Sequence, residues 1–528
     1  RSQMIFPIIR QTLRTSLRYL LADFREQLRR PQETQQRLLG KLIGDLSETE
    51  YGRSLAVKAN DGYDDFAARL PVVTYDDLSP WIERQKREEG RALVSEPVLF
   101  YEKTSGSSGP AKYIPYTAGL KASFNRMFFM WLGDLLGNGP RFESGKAFIS
   151  ISPAFRRNEK TERGARVGLE DDSEYLAGWA RALLKPFLVA PHALQKLQEP
   201  GHFKHTLSAL LLAETRLEVV SVWNPTFLEI ILDYIRENRA RLSADLRRGE
   251  VKREGLRFRF KPVSGARLDL LNDEPIQWAR VWPGLKLISC WTSAHAAPAA
   301  RRIAEKFSGV FLQGKGLLAT EAPLTLPLIE AGGFVPLPSE VFYEFLDEEG
   351  RILCLHELQS GREYDLILTQ KGGLCRYRIG DRVRVTHFYE ATPCLEFVGR
   401  SDAVCDLVGE KLNERFVQKQ LSRLNGSSGF QVLLPVIEDP CHYLLITDSL
   451  TGDPDSLAAE LDQALCEAYH YRNARLLGQL GPARARVIPN ARDQYYKFFM
   501  KKGMKLGDIK HQCLIRNTED AAGISERM

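Results

Sequence analysis

The stretch that most restricts the fold is Glu218–Trp223 (EVVSVW), which passes directly into Asn224-Pro225. A short, β-branched apolar run of this kind reads as a buried strand. Asn is a favoured helix N-cap, and Pro is favoured at the first helical position. Phe227, Ile230, Ile231, Tyr234 and Ile235 then fall on one face of a helical repeat. A buried strand feeding a capped amphipathic helix is the building unit of an α/β fold. The unit recurs. Lys146–Ser152 (KAFISIS) reads as a strand, Leu285–Trp291 (LKLISCW) precedes Thr292-Ser293 and an Ala-rich helix, and Val310–Gln313 leads into Gly314–Glu321. Residues 4–50 carry apolar positions at helical spacing. From Thr117 another helix is expected, with Leu120, Phe124, Phe128, Trp131 and Leu135 along one face.

Beyond about residue 335 the pattern changes. Val341–Phe345, Ile352–Leu358, Tyr364–Thr369 and Arg376–Val385 read as short strands, with Gly turns at Gly361 and Gly372-Gly373. Leu395–Arg400 is a further strand. The expected class is α/β. A large N-terminal domain, 1–401, would combine mixed sheets flanked by helices with a small antiparallel, barrel-like section at about 335–400. A smaller α+β C-terminal domain, 402–528, would follow a hinge at Ser401 and Asp402.

At 528 residues the chain is too long for one core, and about two to four domains are expected. The net charge of +6 is mild and argues against nucleic acid as a partner. The eight cysteines are scattered with no Cys-x-x-Cys pair, so reduced thiols in a cytoplasmic protein are expected. The His202/His205 pair is too isolated to read as a metal site. The run from Met4 to Ala22 is interrupted by Arg10, Arg14 and Arg18, which fits neither a signal peptide nor a membrane span. Arg1-Ser2-Gln3 reads as non-native sequence ahead of Met4, and no membrane partner is expected.

A second constraint is Thr104-Ser105-Gly106-Ser107-Ser108-Gly109-Pro110-Ala111-Lys112, set between the apolar Val98–Tyr101 and Tyr113–Thr117. Backbone N–H groups in such a turn can converge on an anion, with hydroxyls and Lys112 as further donors. A Ser/Gly run taken alone reads better as a linker than as a site. Walker chemistry is disfavoured, because Ala111 precedes Lys112 and Tyr113 follows it.

Four features occur in one order: the 104–112 loop, an Ala319-Thr320-Glu321 turn, a Tyr377-Arg378-Ile379-Gly380-Asp381 turn, and Phe397-Val398-Gly399-Arg400-Ser401-Asp402. That order resembles the adenylate-forming enzymes, and specifically the GH3 family of acyl-acid amido synthetases. Thr49–Arg53, Ser221–Phe227, Gln313–Pro323 and His356–Val383 resemble GH3 landmarks in a bacterial rather than a plant version.

The resemblance implies two half-reactions. A small carboxylic acid attacks the α-phosphate of ATP, giving acyl-AMP and pyrophosphate. The amine of an amino acid or similar compound then takes the acyl group and releases AMP. In this reading Thr104, Ser105, Gly106, Ser107, Ser108 and Lys112 grip the β- and γ-phosphates. Ala319, Thr320 and Phe397 border the nucleotide, Asp381 takes the ribose hydroxyls, Arg400 lies near ribose and α-phosphate, and Glu321 faces Mg²⁺. Asp381 without the other motifs would read as part of a Gly-Asp hairpin turn. Ser401 and Asp402 form the pivot, and Lys411 lies in a segment facing the site after domain rotation. Lys510 is the first candidate for the C-terminal catalytic lysine and Lys497 the second. An acyl pocket would draw on Phe128, Trp131, Trp223, Trp291, Thr292 and Ser293, which suits an aryl or other hydrophobic acid. A monomer or weak dimer is expected.

The chain departs from the plant pattern. The phosphate loop is one residue shorter, Ala319 stands where plant members carry Ser, and the Gln and Pro-Arg expected around the C-terminal lysine are missing. Two alternatives stay open: a ligase delivering to coenzyme A or a carrier thiol, and a non-catalytic binding protein on the same scaffold.

Overall fold

The computed structural model describes residues 2–528 apart from 88–89, 104–111, 150–158, 161–165, 168–184, 401–403, 409, 411, 427–428, 439, 477–478, 505 and 507–508. Two long helices lead, α1 (Ser2–Arg29) and α2 (Pro31–Ser47). Helix α3 (Tyr75–Arg87) starts directly after Thr74. Thr74 donates its backbone N–H and its hydroxyl to Asp77 at 2.7 and 2.8 Å, satisfying groups that a helix start would orphan. Strands β1 (Phe100–Lys103) and β2 (Tyr113–Tyr116) pair antiparallel on either side of the Ser/Gly segment. Helix α4 (Ala118–Asn138) follows, capped by the buried Thr117, whose hydroxyl accepts from Leu120 N at 3.1 Å.

The recurring strand–helix unit builds one parallel sheet. Its strands are β3 (Lys146–Ile149), β4 (Leu217–Ser221), β5 (Leu287–Cys290) and β6 (Phe311–Gly314). Their order is β6-β5-β4-β3, with every pairing parallel. All of β5 is buried, as a strand covered on both faces should be. Between β4 and β5, α5 (Pro225–Glu237) starts where expected, with the Asn224 side chain accepting from Thr226 N at 3.0 Å. Helix α6 (Ala297–Lys306) connects β5 to β6.

The later strands form a five-stranded sheet from β7 (Val341–Leu346), β8 (Ile352–Cys354), β9 (Glu363–Gln370), β10 (Tyr377–Tyr389) and β11 (Thr392–Arg400), in the order β8-β7-β9-β10-β11. The structure corrects one expectation here. Gly380-Asp381 is no hairpin turn but the middle of β10. The β9–β10 register passes from Asp365/Arg382 to Ile367/Arg378, so Ile379, Gly380 and Asp381 together oppose Leu366. This is a bulge, and Gly380 supplies the positive φ of 84° at its centre. Just before it, Arg376 is buried against Glu344 of β7. The core joins this sheet to α2, α3, β1 and β2 through residues such as Leu42, Ile82, Tyr116, Phe342, Leu366 and Tyr377.

The smaller C-terminal part has its own core, including Val417, Leu433, Tyr443, Leu445 and Leu461. Its elements include α7 (Glu414–Leu421), β12 (Gln431–Val436), β13 (His442–Thr447), α8 (Pro454–Leu465), β14 (Arg484–Val487), α9 (Ala491–Lys501) and α10 (Thr518–Ser525). Strand β13 pairs antiparallel with β12 and parallel with β14. The chain thus divides into two compact units, and the division falls within β11 between Phe397 and Val398. Ser401 and Asp402, the expected hinge, lie outside the described residues. No helix among the described residues is long and apolar enough to cross a membrane. All eight cysteines are free thiols.

Candidate functional site

Ligands in open α/β sheets bind outside the carboxyl ends of the strands. In the parallel sheet those ends carry aromatic and polar side chains. Trp223 lies two residues past β4, and Trp291 directly follows β5. Trp291 N donates to Trp223 O at 2.8 Å, and their rings lie 5.9 Å apart. Lys315 directly follows β6. Its Nζ donates to Ser221 Oγ at 2.7 Å and lies 4.8 Å from the Trp223 ring and 5.9 Å from the Trp131 ring. Trp131 reaches in from α4 and donates Nε1 to Gln313 Oε1 at 2.8 Å. A Cβ on Gly314 would come within 2.5 Å of both Thr292 Oγ1 and the Phe334 ring, so only glycine allows this approach.

Trp131, Trp223, Trp291 and Thr292, expected as pocket residues, therefore gather at this edge. Ser293 is half-buried and opens the helical turn before α6, its carbonyl accepting from Ala296 N at 3.2 Å. Phe128 packs, half-buried, against the Leu21, Phe24, Met127 and Leu326 cluster. Lys315 was legible as part of Gly314-Lys315-Gly316, a cation at a strand end, but carried no expected role. Burial pushes the Cys290 thiol up to about 12 despite the nearby Lys315, so this thiol is no nucleophile at neutral pH.

The second group of residues surrounds the exit from the Ser/Gly segment. Thr104, Ser105, Gly106, Ser107 and Ser108 lie outside the described residues. Lys112 is described, with its Nζ 5.6 Å from the Tyr75 ring. The Tyr75 hydroxyl accepts from Tyr113 N at 2.7 Å, which ties the start of β2 to α3. At the far end of β2, Tyr116 is fully buried and stacks on Phe100 and Phe124 at 4.7 and 5.7 Å. Its hydroxyl donates to Thr320 O at 2.6 Å. The turn that carries Ala319, Thr320 and Glu321 is closed by a Leu318–Pro323 bridge and by Ala319 N donating to Ala322 O at 3.2 Å. Two segments about 200 residues apart in sequence are thus clamped by one tyrosine. Neither Tyr75 nor Tyr116 was picked out from sequence, since an aromatic at a strand end reads first as core.

Ala319, Phe397 and Tyr113 are half-buried and pack on the same core. Glu321 and Asp381 are both buried carboxylates, each 8% exposed. Such a set fits a nucleotide: apolar edges for a purine, and an acceptor-only carboxylate for ribose hydroxyls. The described residues contain no cluster of three or more His, Cys, Asp or Glu able to hold a metal alone. Mg²⁺ is commonly bound by one or two carboxylates plus substrate phosphates, so a single buried Glu321 fits that ion with a nucleotide present.

In the C-terminal unit, Arg400 is the last residue of β11. Burial pushes the Glu414 carboxyl up, while Arg516 and Arg400 pull the other way. Lys411 lies outside the described residues. Its neighbour Glu410 is buried and accepts from Leu407 N and Val408 N, both at 2.8 Å. Lys510 is exposed, but its backbone is held: Tyr495 OH donates to Lys510 O at 3.1 Å, and the adjacent His511 bonds Gln431 O at 2.7 Å. Lys497 is exposed on α9.

The profile of the GH3 family N-terminal domain matches residues 20–311, that of the central domain 334–400, and that of the C-terminal domain 414–519. The indole-3-acetic acid-amido synthetase GH3.8 of Oryza sativa subsp. indica is 24% identical, with 90% of this chain and 87% of that protein aligned. The indole-3-acetic acid-amido synthetase GH3.4 of Arabidopsis thaliana is 23% identical, with 97% and 93% aligned. The solved AtGH3.15 acyl acid amido synthetase in complex with 2,4-DB superposes with a TM-score of 0.84 at 19% identity, covering 97% of this chain and 96% of that one. A 2-hydroxyisobutyryl-CoA ligase in the postadenylation state with 2-HIB-AMP gives a TM-score of 0.54 at 14% identity, covering 93% and 91%.

Proposed function

The chain belongs to the GH3 family, and on that premise we propose that it is an ATP-dependent acyl-acid amido synthetase. A carboxylic acid is adenylated to acyl-AMP with release of pyrophosphate, and an amino acid or similar amine then takes the acyl group as an amide. The observation that carries this reading is the Tyr116–Thr320 clamp at 2.6 Å. It joins the strand leaving the Ser/Gly segment to the turn bearing Glu321, so that phosphate donors and an acidic residue can serve one nucleotide.

A carboxylate is a poor electrophile, and adenylation gives its carbon a good leaving group. The enzyme must hold two anions together and stabilise charge at phosphorus with fixed donors. Thr104, Ser105, Gly106, Ser107, Ser108 and Lys112 would grip the β- and γ-phosphates. Asp381 would accept from the ribose hydroxyls, with Ala319, Thr320 and Phe397 bordering the base. Glu321 would hold Mg²⁺, which supplies neutralising charge at the phosphates. The C-terminal unit would turn about Ser401 and Asp402 and bring Arg400 and a lysine, Lys510 or Lys497, to the α-phosphate, with Lys411 facing the site in the second half-reaction. Trp131, Trp223 and Trp291 would wall the acyl group, and the apolar wall suits an aryl acid. Free thiols throughout suit a cytoplasmic setting, and the departures at Ala319 and around Lys510 suit a bacterial-type member.

A second reading, delivery to coenzyme A, draws on the likeness to the CoA ligase fold at a TM-score of 0.54. Mass spectrometry of the product separates the two. With ATP, Mg²⁺, a competent acid and a panel of amino acids or hydroxylamine, an amide or hydroxamate is expected without any thiol. A product that forms only when coenzyme A is added would overturn the amide reading.

A further inference from the structure

The parallel sheet has a polar row under the tryptophan wall. Ser221, Ser289 and Gln313 sit side by side on β4, β5 and β6: Ser221 is the register partner of Ser289, and Ser289 that of Gln313. Register partners in a sheet point to the same face. All three are buried, at 5%, 0% and 5% exposure. Two of their polar atoms, Ser289 Oγ and Gln313 Nε2, are buried with no hydrogen-bond partner in the protein. The amide orientation of Gln313 is set by its neighbour, because the indole N–H of Trp131 can only donate and so takes Oε1. That leaves Nε2 as a donor in want of an acceptor. Leaving such a group unsatisfied is costly, so its presence needs an explanation.

Lys315 stands two residues beyond Gln313 and therefore on the same side of the strand. Its ammonium is oriented by Ser221 Oγ and flanked by the Trp223 and Trp131 rings. A cation, an amide N–H and a hydroxyl thus lie on one side of the sheet, beside flat aromatic walls. The turn bearing Thr320 and Glu321 lies further along the chain, past the buried Leu317, whose N–H is tied to Thr325 Oγ1 at 2.7 Å. None of the groups expected at the reacting carboxyl belongs to this polar row.

We propose that Lys315, Gln313 and Ser289 form a specificity subsite that takes a second carboxylate on a planar aryl acid, at the end remote from the carboxyl being adenylated. The aryl ring lies against the tryptophans, and the remote carboxylate accepts from Lys315 Nζ, Gln313 Nε2 and Ser289 Oγ. This rests on the proposed adenylating function and adds the substrate class to it: aryl dicarboxylic rather than simple aryl acids.

The test uses matched acids: benzoate and terephthalate, phenylacetate and 4-carboxyphenylacetate, cinnamate and 4-carboxycinnamate. Binding is read from the quenching of tryptophan fluorescence, and turnover from acid-dependent ATP–pyrophosphate exchange, both on the full chain. A charge-assisted hydrogen bond contributes about 1.5–3 kcal/mol, so in at least one pair the dicarboxylate should be preferred about tenfold or more. In Lys315→Met and Gln313→Leu, each checked for folding by thermal melting, that ratio should fall towards one. Wild-type ratios of one or below in every pair would overturn the proposal whether or not the variants fold. A ratio unchanged in both variants would also overturn it and leave the polar row as a site for bound water. Discrimination in fluorescence without any exchange would keep the subsite and count against adenylation. Exchange without discrimination would do the reverse.

Discussion

Arg376→Met is expected to cost the N-terminal unit about 3–5 kcal/mol of stability, the loss seen when one partner of a buried ion pair is removed. Arg376 and Glu344 have side chains only 5% and 1% exposed. The guanidinium donates Nε to Glu344 Oε2 at 3.1 Å and Nη2 to Oε1 at 2.9 Å, a two-point fork. Its Nη1 also donates to Ala67 O and Leu70 O at 2.8 and 2.6 Å. Tyr63 OH donates to Glu344 Oε1 at 3.1 Å. Methionine can fill the space of the arginine stem but leaves the Glu344 charge and two carbonyls without these donors. Arg376 also holds a positive φ of 46°, which its fork of bonds must sustain. Val73 exchanges backbone hydrogen bonds with Arg376 and Arg378, so the same strand start carries the bulge that positions Asp381. The double variant Arg376→Met/Glu344→Met should recover most of the loss, because the stranded charge is gone. Urea unfolding followed by tryptophan fluorescence measures this cleanly, since all seven tryptophans precede residue 300 and report on the N-terminal unit. A loss below about 1 kcal/mol for Arg376→Met, within the range of an exposed pair, would contradict the account.

Lys112→Ala is expected to slow acid-dependent ATP–pyrophosphate exchange about 100-fold, the scale set by removing one fixed donor from a developing anion. Lys112 stands at the last position before β2, and β2 is held at both ends, by Tyr75 at Tyr113 and by Tyr116 at Thr320. The lysine thus directly precedes a strand fixed at both ends, with its ammonium 5.6 Å from the Tyr75 ring. Its loss should leave thermal melting of the protein unchanged. Exchange kinetics within threefold of the wild type would remove Lys112 from the phosphate grip.

The parts of the fold legible in the sequence were those with local causes. Asn224 and Pro225 mark a helix start by their own chemistry. The parallel sheet followed from apolar runs passing into such starts. The Gly380-Asp381 bulge was misread as a turn because glycine with aspartate signals a tight reversal locally. What makes it a bulge is the register of β9 opposite, which no neighbouring residue encodes. The polar row of Ser221, Ser289 and Gln313 was hidden for the same reason: these residues are far apart in sequence and meet only through strand pairing. Tyr116 was hidden differently, since a buried tyrosine and a tyrosine that clamps a remote carbonyl look alike until the partner is known. Lys315 was visible as a cation between two glycines, but its tryptophan and serine neighbours come from two other segments, the end of β4 and α4.

The central claim is that this chain activates a carboxylic acid at the expense of ATP. ATP–pyrophosphate exchange across a panel of aryl, aryl-dicarboxylic and aliphatic acids, with Mg²⁺ and with neither amine nor thiol present, measures that step alone. The account predicts exchange that depends on the acid and is strongest among the aryl acids. A folded protein that catalyses no acid-dependent exchange above background with any member of the panel would contradict it.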